Sequence, residues 1–330
     1  MRYLVTGGAG FVGSNTVDEI VRRGHSVVVL DDLSAGKEAN LARTVDKVEF
    51  VRGSITDLDL VRTVVRNADY VLHLAARTSV PRSVKDPLET NRINVDGTLN
   101  VLLAARDARV KRVVFACSSS IYGDTLTLPK RESMSPAPIS PYGLSKLTGE
   151  VYGQIFQRLY GLEFVSLRYF NVFGPRQDPG SQYSGVLSLF SSAVLDGRPV
   201  TIFGDGGQSR DFTYVANVVE ANLLACEARG AAGLAFNIGT GNRYSLNHTL
   251  GLLSDISGQQ VVTNYGPPRN GDIRDSQADI TLARQVLGYD PRVTFEEGLK
   301  RTWEWYSSDR YKTANERPSM KYAACEIAGK

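Results

Sequence analysis

Tyr142 and Lys146 stand four residues apart in Tyr142-Gly143-Leu144-Ser145-Lys146, so on a helix the phenol and the ammonium lie on one face. A free phenol titrates at about 10, too high for a base at neutral pH. A lysine alongside it, together with a cationic ring bound close by, would favour the phenolate and make it a general base. Ser118 follows the β-branched run 113–116. Ligands collect at that end of a parallel strand, and the hydroxyl can share a substrate proton. A Tyr-x-x-x-Lys pair alone is more often plain helix surface, so its weight depends on what accompanies it.

What accompanies it is Thr6-Gly7-Gly8-Ala9-Gly10-Phe11-Val12-Gly13, set between a strand-like run at 3–6 and an amphipathic stretch at 11–23. Glycines at 7, 10 and 13, or at 8, 10 and 13, remove side chains where the turn is tight, where a pyrophosphate must approach backbone N–H groups, and where helix packs on strand. The helix N-terminus there, with Phe11 and Val12, adds partial positive charge. Asp31 closes the next run, Val27-Val28-Val29-Leu30, with Asp32 beside it. A carboxylate in that place accepts hydrogen bonds from the adenosine ribose and repels a 2′-phosphate, which predicts NAD rather than NADP. The plain alternatives are a glycine-rich turn without ligand and an aspartate that merely ends a strand.

These groups need a frame, and the chain alternates short apolar runs with longer amphipathic stretches: 3–6 then 11–23, 26–30, 48–51 then 58–67, 70–74 then 88–108, 113–116 then 141–160, and 164–167. The pattern predicts an α/β fold, a doubly wound parallel sheet covered by helices on both faces. Ser140 is placed to cap the helix 141–160 and Pro141 to occupy its first position. After about residue 175 glycine and proline interrupt the chain often, whereas 213–238 regains the helix-then-strand texture. The expected division is therefore a dinucleotide-binding domain over 1–175, re-entered at 212–240, and a smaller mixed α/β substrate domain from 176–211 and 241–330. The polar stretch from 307 to 330 is expected to lie over the surface.

The 330 residues suit one large or two interlocked domains, and 42% hydrophobic with 22% charged residues excludes disorder and coiled coil. Thirty-eight basic against 35 acidic residues leave a formal net charge of +3, too little for a nucleic-acid footprint. Cysteines at 117, 226 and 325 form no close pair, so neither a disulfide framework nor a metal cluster is suggested. No cleavable apolar core opens the chain and no membrane-length apolar run occurs, which reads as a cytoplasmic protein with small-molecule or protein partners.

With these blocks in view the chain resembles the extended short-chain dehydrogenase/reductase superfamily, and within it the nucleotide-sugar 4-epimerases. The resemblance runs from Arg2 to about Tyr306, through Gly7–Gly13, His73-Leu74-Ala75-Ala76, Asn94-Val95-Asp96-Gly97-Thr98, Ser118–Gly123, Tyr142–Lys146, Arg168–Pro175, Ser209-Arg210-Asp211-Phe212 and Gly271-Asp272. It implies a Rossmann fold and NAD kept as a prosthetic group, held by the glycine loop, Asp31, Asp32, Ile55, Leu74, Ala75, Ala76, Asn94, Tyr142, Lys146 and Tyr169. It also implies that Tyr142 takes the proton of the sugar 4-hydroxyl, that the 4-keto sugar turns over, and that the proton returns on the other face. Arg210 and Arg269 match arginines on the pyrophosphate. Asn171, Val186 and Phe203 match nucleotide-lining positions, and Asp272 a carboxylate on the ribose. One departure is Ser54, where the family usually carries an adenine-contacting Asp; the backbone of Ile55 remains available.

The resemblance also bears on which reaction is run. Related dehydratases carry Asp-Glu after the active-site hydroxyl and related decarboxylases a Glu, where this chain has Ser119 and Ser120. Simple epimerisation remains. Ser276 falls at a pocket-wall position where a tyrosine would crowd the sugar 2-position and a small residue admits an N-acetyl group. With Ser79 in Ser79-Val80-Pro81-Arg82-Ser83, this makes UDP-N-acetylglucosamine and UDP-N-acetylgalactosamine the expected pair, with UDP-glucose and UDP-galactose tolerated. The alternatives are a glucose-only or a UDP-uronate 4-epimerase, or a non-catalytic NAD-binding sensor, which commonly loses the Tyr-Lys pair. Helices 88–108 and 141–160 match those that pair family homodimers in a four-helix bundle; Val101, Leu102, Val151 and Ile155 either serve that seam or face the sheet.

Overall fold

In the computed structural model, which describes residues 1–179, 185–268 and 273–308, the alternating runs become β1 (Arg2–Thr6), α1 (Phe11–Arg22), β2 (Ser26–Asp31), β3 (Val48–Arg52), α2 (Leu58–Val64), β4 (Tyr70–His73), α3 (Val80–Lys85), α4 (Pro87–Asn91), α5 (Gly97–Asp107), β5 (Arg112–Ser118), α6 (Pro141–Tyr160) and β6 (Glu163–Tyr169). There follow α7 (Val186–Leu195), α8 (Val215–Glu227), a strand at Ala235–Ile238, α9 (Leu246–Ser257) and α10 (Phe295–Ser307). The main sheet has seven parallel strands in the order 235–238, β6, β5, β4, β1, β2, β3. Its central strands are buried along their length, as a sheet covered on both faces requires. Strand order reverses between β1 and β4, which opens a crevice beyond their carboxyl ends.

Local chemistry sets the catalytic helix. The Ser140 hydroxyl accepts from the Gly143 N–H at 3.1 Å, Pro141 occupies the first turn, and Gly161 ends α6 in the left-handed region at φ 70°. The stretch expected as one helix over 88–108 is instead α4, a π-helical turn at Arg92–Asp96, and α5. The π turn carries Asn94, and extra residues of this kind in a helix commonly re-aim a side chain.

Two apolar clusters form. The larger packs on the seven-stranded sheet; the smaller gathers Phe173, Phe190, Phe212, Tyr214, Phe295 and Leu299 with parts of α7 and α9. Helix α8 serves both, with Val218 and Ala221 in the larger and Val215 and Val219 in the smaller. Ala278, Ile280, Ala283, Leu287 and Tyr289 pack in the larger core although their stretch was expected with the smaller region. The Tyr289 hydroxyl reaches the Gly239 carbonyl at 2.9 Å, just past the seventh strand, which ties that stretch to the sheet. Among the described residues no helix is long and apolar enough to cross a membrane, and no group of histidine, cysteine and acidic side chains could hold a metal.

Candidate active site

The glycine loop is built so that nothing but hydrogen fits. Gly7 has φ +70° and lies against Ala75, whose backbone atoms stand 2.8 Å from where a Cβ would sit. A Cβ on Gly13 would come 2.0 Å from the Gly7 carbonyl oxygen. The loop is closed by hydrogen bonds from Gly10 N–H to the Gly7 carbonyl and from Ser14 N–H to that of Gly10. Helix α1 begins at Phe11 with no side chain capping it, so its first-turn amides, those of Phe11, Val12 and Gly13, face the crevice end of the helix. A cradle this bare at a helix N-terminus fits the pyrophosphate of a dinucleotide.

Asp31 lies buried beside this loop. Its carboxylate accepts from the Ala9 N–H at 2.9 Å and the Leu33 N–H at 2.8 Å. Burial pushes its pKa up, with the amide bonds opposing. A Cβ on Gly36 would stand 2.9 Å from both carboxylate oxygens, so only glycine packs this closely on Asp31, a part that spacing alone did not reveal. Asp32 is exposed and accepts from the Ser34 N–H in a turn. Asp31, with lone pairs left after its two amide bonds, is the better-placed acceptor for a ribose hydroxyl.

Opposite, Leu74 and Ala75 are pinned to Thr6 through their N–H groups, Leu74 to the carbonyl and Ala75 to the hydroxyl, both at 3.2 Å; Ala76 follows, half-buried. Asn94 is buried and committed to protein: it accepts from the Arg77 N–H and donates to the Arg77 carbonyl and to the Ser145 hydroxyl. It thus clamps the loop after β4 to α6. Ile55 is buried with its carbonyl taken by Asn100, while Ser54 bonds Thr56. The Tyr169 hydroxyl donates to Asn222 on α8 at 2.5 Å.

The three groups singled out for chemistry converge. Ser118 ends β5, and its hydroxyl accepts from the Ser120 N–H at 3.2 Å. Ser118 is the polar neighbour that draws the Tyr142 pKa down, yet burial dominates and pushes the phenol up to about 12. In the cofactor-free chain Lys146 donates to the Ala116 carbonyl at 2.8 Å and is not among the groups acting on the phenol. Ser83 of α3, unnoticed in the sequence, accepts the Tyr142 N–H at 3.0 Å across 59 residues of chain. Ser79, which caps α3 at the unusual φ of 101°, edges the same side.

Burial pulls the Lys146 pKa down to about 8. Below that pH the folded chain holds a desolvated charge that the unfolded chain keeps in water, a cost that fades between about 8 and 10.5 as only the unfolded lysine stays protonated. We therefore expect cofactor-free Lys146→Met to be more stable than wild type at pH 7 by about 2 kcal/mol, the desolvation less one hydrogen bond. Urea midpoints should converge as pH rises through that window. A lower midpoint for the variant at pH 7 would mean the Ala116 bond outweighs desolvation.

Ser119 and Ser120 follow in a short turn, half-buried, and the Ser120 Oγ is buried with no hydrogen-bond partner among the described residues. Toward the smaller core, Asn171 donates to the Asp211 carbonyl at 3.4 Å, and the Arg210 guanidinium reaches the carbonyls of Ser209 and Arg274. The Ser276 N–H bonds the Ser209 carbonyl at 3.1 Å, so Ser276 lies next to the strand bearing Arg210, and it is buried. The Phe203 carbonyl accepts from Gln208, and Val186 begins α7. Arg269 and Asp272 lie outside the described residues. The unforeseen residue here is Asp211: fully buried, it accepts from Thr240, Gly241 and Ala278 and ties three segments together.

A family model and three known proteins resemble this chain. Residues 3–239 match the model of the NAD dependent epimerase/dehydratase family. A UDP-glucose 4-epimerase of Mycolicibacterium smegmatis is 43% identical over 93% of this chain and 98% of its own. Among solved structures, the UDP-glucose 4-epimerase of Thermotoga maritima with UDP-glucose is 42% identical at a TM-score of 0.89, covering 95% of this chain and 99% of that one. The UDP-N-acetylglucosamine 4-epimerase of Methanobrevibacter ruminantium M1, in complex with UDP-N-acetylmuramic acid, is 38% identical at 0.89, covering 92% and 97%.

Proposed function

This chain belongs to the NAD dependent epimerase/dehydratase family, and from that premise we propose that it inverts C4 of UDP-sugars, interconverting UDP-N-acetylglucosamine with UDP-N-acetylgalactosamine and UDP-glucose with UDP-galactose. The observation that carries the reading is the convergence of Ser118, at the carboxyl end of β5, with Tyr142 and Lys146 one turn apart on α6, the lysine anchored to the Ala116 carbonyl of the same strand. Bound NAD supplies a reversible two-electron acceptor and a positive charge near the phenol. Tyr142 takes the proton of the 4-hydroxyl and later returns it, while Ser118 holds that oxygen through a hydroxyl that both donates and accepts. Lys146, anchored at Ala116, is placed to hold the nicotinamide ribose. Between the two proton transfers the 4-keto sugar must turn over, so the nucleotide has to be held firmly and the sugar loosely. Asn171, Val186, Phe203, Arg210, Arg269 and Asp272 are the groups we assign to the nucleotide, and Ser79, Ser119 and Ser120 to the sugar side.

The test is an NMR assay of purified protein with UDP-N-acetylglucosamine and with UDP-glucose, no NAD added. We expect the C4 epimer of each; no conversion of either overturns the reading. The choice of sugar rests on Ser276. A buried serine leaves volume that a phenol ring would fill, so Ser276→Tyr is expected to depress kcat/KM for the N-acetylated pair by about 10²-fold and spare the plain pair. Equal loss on both pairs would mean that Ser276 does not wall the 2-position.

The same reading makes the protein a homodimer. Leu144, Val151, Ile155 and Leu159 form an exposed apolar stripe along α6, with Leu88 of α4 exposed as well. Val101 and Leu102, for which a place at the seam and a place against the sheet were both open, are fully buried in the core. They lie on the face of α5 that the sheet covers. Light scattering should give the mass of two chains, and a single-chain mass would refute the pairing.

A further inference from the structure

Beneath the candidate site runs a buried polar chain that the chemistry above does not use. Arg168 on β6 makes a two-pronged contact with Glu150 on α6: its Nη2 stands 2.6 Å from one carboxylate oxygen and its Nε 3.1 Å from the other. Ser166 donates to the same carboxylate at 2.6 Å. The remaining guanidinium nitrogen donates to the Tyr122 hydroxyl at 2.7 Å and to the Glu132 carbonyl at 3.2 Å. Tyr122 in turn donates to Asn237 on the seventh strand at 2.7 Å. All of these side chains except that of Glu132 are nearly or fully buried.

An ion pair placed so deep is a weak source of stability, because desolvating two charges offsets most of their attraction. Its position is more telling. Glu150 lies one helical turn beyond Lys146 and two beyond Tyr142, about 12 Å along the axis. Tyr122 ends the short turn Ser119–Tyr122 that starts from Ser118. Arg168 stands opposite Cys117 in the β5–β6 register, and Ser118 opposite Tyr169. The turn that follows Ser118 and the helix that carries Tyr142 are thus both tied to a single guanidinium.

We propose that Glu150, Arg168 and Tyr122 are positioning residues that hold the turn bearing Ser118 against α6, where Gly143 packs on the Ser120 carbonyl, and so keep Ser118 beside Tyr142. The proposal rests on the reading of Tyr142 as the proton acceptor, and it concerns how that phenol is kept in tune. Besides Ser118, the titratable neighbours of the phenol are Cys117, whose charge would raise it, and Lys146 of its own helix, held at Ala116. If the turn drifts, Ser118 no longer draws the phenol down and burial acts unopposed.

The holoenzyme carrying Tyr122→Phe tests this. The substitution removes one hydroxyl and keeps the ring against Phe170. Tyrosines labelled with ¹³C at Cζ, with Tyr142→Phe identifying the resonance, report the phenol's titration without any turnover. We expect Tyr142 in Tyr122→Phe to titrate about half to one pH unit higher than in wild type, and kcat to fall about tenfold with KM within twofold. Ser166→Ala, which removes one donor to Glu150, is expected to act the same way in smaller measure and carries the test should Tyr122→Phe not fold. A folded variant with a lower Tm but unchanged Tyr142 titration and kcat reduces the chain to a structural role and overturns the proposal. An inert wild type would defeat the reading of function, while the titration would still judge this one.

Discussion

Tyr142→Phe is expected to lower kcat for UDP-sugar epimerisation by about 10²–10⁴-fold, the usual worth of a general acid–base group, while the protein still purifies with NAD. The variant removes one oxygen and leaves the ring, the helix and Lys146 in place. Its effect on stability should be small, because the lost polar contact beside Ser118 is offset by sparing a buried hydroxyl its desolvation. The loss should therefore appear in kcat with little change in KM, the mark of an interaction made only in the transition state. Absorbance and fluorescence of the bound cofactor check retention, and NMR checks turnover. Near-normal turnover would take the proton transfer away from Tyr142, and with it the arrangement that joins Ser118 and Lys146 to one purpose.

The acid limb of the same enzyme follows from the phenol's surroundings. Burial lifts Tyr142 to about 12 and the neighbouring Ser118 opposes it only in part. In the cofactor-free chain the phenol is therefore protonated throughout the neutral range. The positive charge brought by bound NAD is what must favour the phenolate, so ionisation of Tyr142 and binding of the cofactor are linked.

Gly13→Ala should have the second large effect, on cofactor and fold together. Its Cβ would meet the Gly7 carbonyl oxygen at 2.0 Å, the Gly8 Cα at 2.7 Å and the Gly7 carbonyl carbon at 2.8 Å, all backbone. No flexible side chain can yield there, so the loop and the start of α1 must separate. Overpacking of this kind costs about 1–3 kcal/mol, and here it also deforms the turn that approaches the pyrophosphate. We expect protein isolated without NAD and with a lower Tm. Gly251→Ala on α9 is the control, because nothing stands within 4 Å of the added carbon, and it should be neutral or slightly stabilising. Retention of NAD by Gly13→Ala at an unchanged Tm would move the cradle elsewhere.

Much of the frame was legible because its signals are local. Ser140 and Pro141 start α6 and Gly161 stops it through contacts within three or four residues, and α6 spans the expected 141–160. The strands read as short apolar runs because a parallel sheet buries both faces. The glycine loop was legible for the same reason: the side chains it lacks are lacking in the sequence itself.

Other features depended on what lies far along the chain. Val101 and Val151 look alike in sequence, but one is fully buried and the other exposed, since only the packed sheet decides which face of a helix it covers. The partners of the Asn94 amide, Arg77 and Ser145, lie 17 and 51 residues away and are set only by the packed fold. The segment 278–289 joins the larger core through contacts such as Tyr289 with Gly239, fifty residues away.

The amino-acid sequence alone determined the parallel sheet, the bare loop for a pyrophosphate, and the pairing of phenol with amine on one helix, because each follows from interactions spanning a turn or two. Tertiary structure decided where Lys146 spends its hydrogen bond, how strongly Tyr142 holds its proton, and which buried guanidinium steadies them. Solvation and distance set those properties, and both arise only when segments remote in sequence close around the same few atoms.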